Sequence, residues 1–311
     1  MSAAGSAIEH VSTWPSLPFA SWSTTASTLH MWTQVVGKIR LALSSHVNHW
    51  WQVPLYVTAR GLSTSTIPYR ERLFEMEFDF LDHNLVIRES DQAARYVPLY
   101  ARSVADFYRE LMAVLHSISI DVKIWPKPAE VSDPIPFPDD TVHASYDPEA
   151  VSKFHHILMS VDCVFKEFRG GFLGKVSPVH FFWGSFDLAV TRFSGRRAPD
   201  RDGIDSITRE AYSHECSSAG FWPGGGGGPV SDAAFYSYAA PEPSGYSQRP
   251  VHPAQAFYHP ELKEFILMYE DVRNASSPEG ALHEFLQSTY EAAAILGNWD
   301  RAALERRMPT P

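Results

Sequence analysis

The 311-residue chain has only two cysteines, Cys163 and Cys216, with no Cys-x-x-Cys spacing. A disulfide framework is therefore excluded and a reducing compartment is expected. Basic runs stop at the pairs Arg196-Arg197 and Arg306-Arg307, and the net charge is −10. Nucleic-acid binding needs a basic surface to displace counterions from phosphates, so no nucleic-acid partner is expected. No apolar run approaches the ~20 residues of a membrane helix, and Met1–Thr13 lack the basic-then-apolar order of a signal segment. These absences give the expectation of a soluble, cytoplasmic protein with no membrane partner. Catalytic signatures are absent too: there is no His-Glu-x-x-His, no Gly-x-Ser-x-Gly elbow, and no activation signature at either cysteine. The run Gly224–Gly228 lacks the Lys-Ser/Thr and helix start of a phosphate loop and reads as a flexible loop or lid.

What is present is a globular composition, 44% apolar and 20% charged, rich in aromatics at 13% with nine Trp. Helical spacing of Leu29, Trp32, Val36, Ile39 and Leu43 predicts a helix over 27–43. On it His30, Gln34 and Lys38 form a stripe that reads as a polar helix face. Strands are predicted over 49–60, 73–80, 85–88 and 96–100, with a hairpin turn at Asp82-His83-Asn84. A helix over 103–118 follows. Residues 125–140 carry five prolines, too many for a helix or central strand, and read as an extended surface linker. Asp147-Pro148-Glu149 then starts a second long helix. Strands are predicted over 179–193, 211–220, 234–239 and 264–269, and a final helix over 278–296.

Two stretches resemble each other. Val47-Asn48-His49-Trp50-Trp51-Gln52 leads to Tyr56-Val57-Thr58-Ala59-Arg60, and Pro178-Val179-His180-Phe181-Phe182-Trp183 leads to Asp187-Leu188-Ala189-Val190-Thr191-Arg192. Each opens on a His with two aromatics and closes on Thr and Arg. The expected fold is α+β: two related helix–antiparallel strands–helix units, 14–124 and 147–300, joined by a linker at 125–146 and packed as one pseudo-symmetric body. A groove between such halves is a natural ligand site.

Strand alternation places side chains on opposite faces. Read as one strand, 179–193 carries Phe181, Trp183, Ser185, Asp187 and Thr191 together, and a mixed polar and aromatic face suits a pocket. Asp187 is the foremost candidate, because an acid in an apolar strand is costly unless it is paired or used. Arg60 and Arg192 are candidate partners for it or for an anionic substrate. His180, His214 and Glu215 complete the catalytic candidates, as acid–base groups or as ligands of a divalent metal. Trp183 and Tyr56, with Arg60 and Arg192, are the expected ligand-holding residues. His259 and Glu261 are further groups of the same kind.

From Trp14-Pro15-Ser16-Leu17-Pro18 through Thr28-Leu29-His30-Met31-Trp32-Thr33-Gln34, then Ser177–Asp187, Tyr212-Ser213-His214-Glu215 and Glu284–Tyr290, the chain resembles a widespread microbial family of unknown function. The resemblance covers nearly the whole chain and implies one architecture without an assigned reaction or cofactor. The expected function is an enzyme acting on a small polar or anionic metabolite in an aromatic-lined cavity by acid–base or metal-assisted chemistry. The rival is a non-catalytic small-ligand-binding or scaffold protein.

Overall fold

The computed structural model describes residues 13–200, 202–225 and 228–306. The N-terminal arm and Gly226-Gly227 of the glycine run lie outside the described residues. Helix α1 (Phe19–Leu43) is followed by strands β1 (Tyr56–Val57), β2 (Gly61–Ser63), β3 (Ile67–Tyr69), β4 (Arg72–Asp79), β5 (Asn84–Glu89) and β6 (Arg95–Pro98), then helix α2 (Val104–Ser117). After the proline-rich segment come α3 (Pro148–Gly170), β7 (His180–Phe182), β8 (Asp187–Arg197), α4 (Ser206–Ala211), β9 (His214–Gly224), β10 (Asp232–Ala240), β11 (Phe257–His259) and β12 (Glu264–Met268). Short α5 (Tyr269–Arg273), long α6 (Pro278–Leu296) and short α7 (Arg301–Leu304) end the chain. The strands form two antiparallel sheets, so the protein is α+β. The first runs β1-β2-β4-β5-β6 with β3 on β4, the second β11-β12-β10-β9-β8-β7. Their edges meet where Leu55 and Phe181 exchange backbone hydrogen bonds of 2.9 Å.

One hydrophobic core joins both halves, from Trp32 and Phe107 to Phe154, Phe181 and Phe285. α1 runs through it and is buried on nearly every side, which a helix apolar around most of its circumference requires. Of the stripe read as its polar face, Gln34 and Lys38 are buried as well and His30 is partly buried. Gln34 donates to Ala129 O (2.8 Å) and accepts from Ala129 N (2.7 Å), and His30 Nε2 bonds Gly184 O (2.8 Å). These polar groups are inside because backbone groups of the linker and of the β7–β8 turn occupy their hydrogen-bonding capacity. The linker is irregular apart from a 3₁₀ turn, Phe137–Asp139, and is anchored by buried Phe137 against Tyr108 of α2.

Two strand expectations are corrected. Residues 49–60 are not one strand: Asn48–Trp50 is a 3₁₀ turn, with φ 59° at His49 and 62° at Trp50. Positive φ at two successive non-glycine residues is incompatible with a strand. The turn is closed by Trp50 N to Val47 O (3.0 Å) and Val47 N to Gln52 Oε1 (3.0 Å). The alternating polar face expected over 49–60 is therefore not formed. Residues 179–193 likewise contain a reversal. Phe186 N bonds Phe182 O (2.8 Å) with Phe186 at φ 61°, and Asp187 returns opposite Phe182. That reversal resets the faces, so Phe181 and Asp187 point to opposite sides of the sheet.

The second sheet consequently has a core face and an outer face. Phe181, Leu188, Phe221, Phe235 and Leu267 form one row across it, all buried beneath α3 and α6. The adjacent row, His180, Ala189, Gly220, Tyr236 and Ile266, faces outward, and Asp187 shares that face two residues before Ala189.

Candidate functional site

The outer face opens at the β8–β12 end into a cavity of about 350 Å³. Asp187 and Ser185 form one wall, Trp222, Tyr236 and Tyr238 the floor, and Leu262, Glu264 and Ile266 the far wall. Gly220 is what lets Tyr236 reach Asp187. The two residues are register partners of β9 and β10, and a Cβ at Gly220 would collide with the Tyr236 ring. With no side chain between them, the Tyr236 phenol lies across β9 and donates its proton to Asp187 Oδ2. Ser185 Oγ donates to Oδ1 at 2.8 Å. Tyr238 stacks behind Tyr236 with ring centroids 6.2 Å apart and shares a 2.8 Å hydrogen bond with the Tyr212 hydroxyl.

The electrostatics follow from burial without counter-charge. Burial raises the Asp187 carboxyl to about 6 against the lowering effect of the Tyr236 and Ser185 hydrogen bonds, with the Glu130 charge adding to the rise. Burial raises Glu264 to about 7, and the Asp187 charge contributes. The Tyr236 hydroxyl is held well above its ordinary value by burial and by the same carboxylate. Neither acid has an ion-pair partner among the described residues, and no lysine or arginine lines the cavity. A smaller adjoining cavity of about 230 Å³ shares Ser185 and Trp222 and adds Glu130 and His30. Two carboxylates with proton affinities near neutrality, next to a phenol, can exchange protons with a bound molecule.

Of the residues expected from sequence, Asp187 lines this cavity. Arg60 is in the first sheet, bound to Asp79 (2.5 Å) and Asp82 (2.6 Å). Arg192 is on the core face, 3.4 Å above the Phe168 ring and 4.4 Å from that of Tyr290, and donates to Phe168 O. Burial lowers its guanidinium to about 10. Neither arginine pairs with Asp187. Glu215 accepts from Ser194 (2.9 Å) and Arg196 (2.6 Å), which in turn caps the carbonyls ending α6. Trp183 is buried, packed on Gly37 and donating to Val53 O at 2.8 Å. Tyr56 lies under Arg40 and beside His180.

His180 is on the outer face but roofed by Trp51, Tyr56 and Phe182, and neither of its ring nitrogens has a partner among the described residues. Burial, with the charges of Arg40 and Arg169, lowers it to about 3, so it is neutral. His214 stands near His49. His259 ends β11, where Leu262 N approaches its Nδ1 at 3.5 Å, and Glu261 is exposed in the turn to β12. Among the described residues no three His, Cys, Asp or Glu side chains are grouped as a metal ion needs. No helix of the described residues is long and apolar enough to cross a membrane.

Sequence reasoning missed Tyr236, Tyr238 and Glu264. The signals were present: two tyrosines spaced for one face of a strand, and an acid heading the apolar run Phe265-Ile266-Leu267. Their convergence on Asp187 depends on strand order, which alternation does not reveal.

Residues 14–306 match the family of unknown function DUF5996, and the chain belongs to that family. No curated protein and no solved structure matches the chain.

Proposed function

We propose that the protein is an enzyme that binds a small polar molecule in the β8–β12 cavity and moves protons on it. The reading rests on one observation: two carboxylates, Asp187 and Glu264, both raised toward neutral and both without a cationic partner among the described residues, open into one aromatic-walled cavity. Asp187, which accepts two hydrogen bonds, is suited to act as the base. Glu264, with the higher proton affinity, is suited to act as the acid. This wall favours an uncharged or amine-bearing molecule over an anionic one. Carboxylates repel an anion, while the faces of Trp222, Tyr236 and Tyr238 attract a cation.

A non-catalytic binding protein is favoured by one detail, that both Asp187 oxygens already accept hydrogen bonds from the protein. The readings separate in a screen of small amines and polyols against the full chain, first by thermal shift and then by product analysis. Turnover of a hit, with a bell-shaped pH profile that Glu264→Gln flattens on its alkaline side, supports the enzyme. A hit that stabilises the protein in a Glu264-dependent way, yet emerges unchanged at every pH, establishes the binding protein and removes the enzyme.

A further inference from the structure

A second chemically distinctive cluster lies on the same outer face at the far end of β8. Phe193 is six residues from Asp187 along the strand, about 20 Å at the usual strand rise. There Lys175, on the segment between α3 and β7, projects its ammonium over two rings, Trp51 at 5.3 Å and Phe193 at 5.2 Å. Its Nζ bonds His49 Nε2 at 2.7 Å. His49 Nδ1 lies 3.0 Å from Ala211 O, which can only accept, so Nδ1 carries the hydrogen and Nε2 is left as an acceptor. Lys175 thus meets a neutral imidazole, and no carboxylate lies within ion-pair distance of it among the described residues.

The titratable groups around Lys175 are His49, His214 and Arg197, and the nearby Glu210 carboxylate is engaged by His46 at 3.0 Å. His214 of β9 has its ring 5.7 Å from that of His49, and its proton affinity is lowered by burial and by the charges of Lys175 and Arg197. Burial lowers Lys175 itself, and lowers His49 together with the charges of Lys175 and His214. The amine remains half-exposed and reachable. A structural lysine is ordinarily paired with an acid, as Lys153 is with Glu149 (2.7 Å) in this chain. Lys175 instead is partly buried without a carboxylate and hydrogen-bonds a proton acceptor, which activates an amine as a nucleophile, while the two rings position it.

We propose that Lys175 is a reactive amine that forms a reversible imine with a small aldehyde or ketone, with His49 as its proton acceptor. His49 Nε2 takes a proton from the ammonium. The freed Nζ electron pair then bonds to the carbonyl carbon, and the carbonyl electron pair moves to oxygen, which takes the second Nζ proton. The carbinolamine hydroxyl leaves as water with the proton returned by His49, and the nitrogen electron pair closes the C=N bond. One C–N bond is gained, one water is released, nothing is oxidised or reduced, and added water reverses the sequence.

The test uses the full chain, propanal as probe and cyanoborohydride to fix the imine, with peptide mapping of every lysine. Solvated Lys123 and Lys127 are internal standards. At pH 7 Lys175 is expected to be alkylated severalfold faster than either, because burial lowers its proton affinity and His49 accepts its proton, and to reach its plateau at lower pH. His49→Gln retains an acceptor for the Lys175 hydrogen bond but cannot carry a proton at neutral pH. It is expected to slow Lys175 alkylation at least about tenfold with melting temperature and the two standards unchanged. Alkylation of wild-type Lys175 no faster than Lys123 and Lys127 overturns the proposal, and so does a Lys175 rate that His49→Gln leaves unaltered. Either result would leave Lys175 as an ordinary cation above two rings. Both readouts are independent of any turnover in the β8–β12 cavity.

Discussion

The buried acids of the first sheet and the two acids of the β8–β12 cavity are treated in opposite ways. In the first sheet every such acid has an arginine. Asp79 accepts from Arg60 at 2.5 Å and from Leu81 N and Asp82 N at 3.0 Å, Glu77 accepts from Arg88 at 2.7 Å, and Glu89 from Arg72 at 2.6 Å. Burial pushes Asp79 up, but the Arg60 and backbone hydrogen bonds more than offset it, and its proton affinity falls below the ordinary value. In the second sheet Asp187 and Glu264 have burial without arginine, and both rise. An acid paired with an arginine stays ionised near neutral pH, whereas an acid denied a counter-charge has a proton affinity useful there. The contrast sets Asp79, held in an ion pair, apart from the two acids that carry the proposal for the β8–β12 cavity.

The largest effect is expected where pairing is most complete. Asp79→Ala leaves the Arg60 Nε and two backbone N–H groups without their acceptor, while the guanidinium keeps Asp82, and should destabilise the protein by about 2 kcal/mol, measured by urea unfolding at pH 7. Because the folded proton affinity of Asp79 is depressed, its contribution is present above the unfolded value near 4 and is lost as pH falls further. The wild-type–variant gap should therefore close in acid. A loss under 1 kcal/mol at pH 7 would erase the distinction between the two sheets.

Gly220→Val comes next. The new side chain occupies the space of the Tyr236 ring, and such overpacking costs about 1–3 kcal/mol. The phenol must leave Asp187, so ligand-induced stabilisation should disappear along with it. Tyr236→Phe serves as a control that keeps the ring and removes only the donor. If Gly220→Val retained full ligand response, the Tyr236–Asp187 bond would have no part in binding.

Glu264→Gln should move stability the other way. A carboxyl whose folded proton affinity is raised favours the native state only while protonated, so its ionisation destabilises the fold as pH climbs from about 4.5 to about 7. The variant should accordingly be more stable than wild type at pH 8, by about 1–2 kcal/mol after allowance for partial exposure, and equal to it near pH 4. Asp187→Asn should behave alike in sign. Equal stability of variant and wild type at both pH values would show Glu264 to be as comfortable as the paired acids of the first sheet.

How far the sequence foretold this depends on whether the deciding contact is local. Helix α6 forms over the span expected for it, and the reason is local: Ser277 and Pro278 sit at its start and Leu282, Phe285, Leu286 and Ala293 are buried at helical spacing. The β4–β5 hairpin was equally legible from the alternation of Phe74, Met76 and Phe78 with acids. The site was legible only at Asp187, an acid conspicuous in its own strand. Arg60 finds Asp79 because Gly61 is the register partner of Asp79, and Tyr236 finds Asp187 because Gly220 lies between them. Neither neighbour is implied by periodicity. The likeness of 47–60 to 178–192 also misled in detail, since hydrophobic pattern does not encode the positive φ values of His49 and Trp50 or the reversal at Phe186.

The smallest effect on stability offers the sharpest test of the comparison, because it gives the second sheet what it lacks. Leu262 is on the cavity rim and already exposed, so Leu262→Lys should change stability by less than about 0.5 kcal/mol. Placed on the wall that carries Glu264, the new ammonium should nevertheless draw the Glu264 proton affinity back toward the ordinary carboxylate range. Carbon-13 NMR of the labelled carboxyl reads that directly. It should also repel an amine-bearing ligand, so the thermal shift given by such ligands should fall while that of uncharged polyols persists. A lysine that lowers Glu264 yet leaves amine binding intact would separate the carboxylate from recognition. The aromatic floor of Trp222, Tyr236 and Tyr238 would then be the element that selects the ligand.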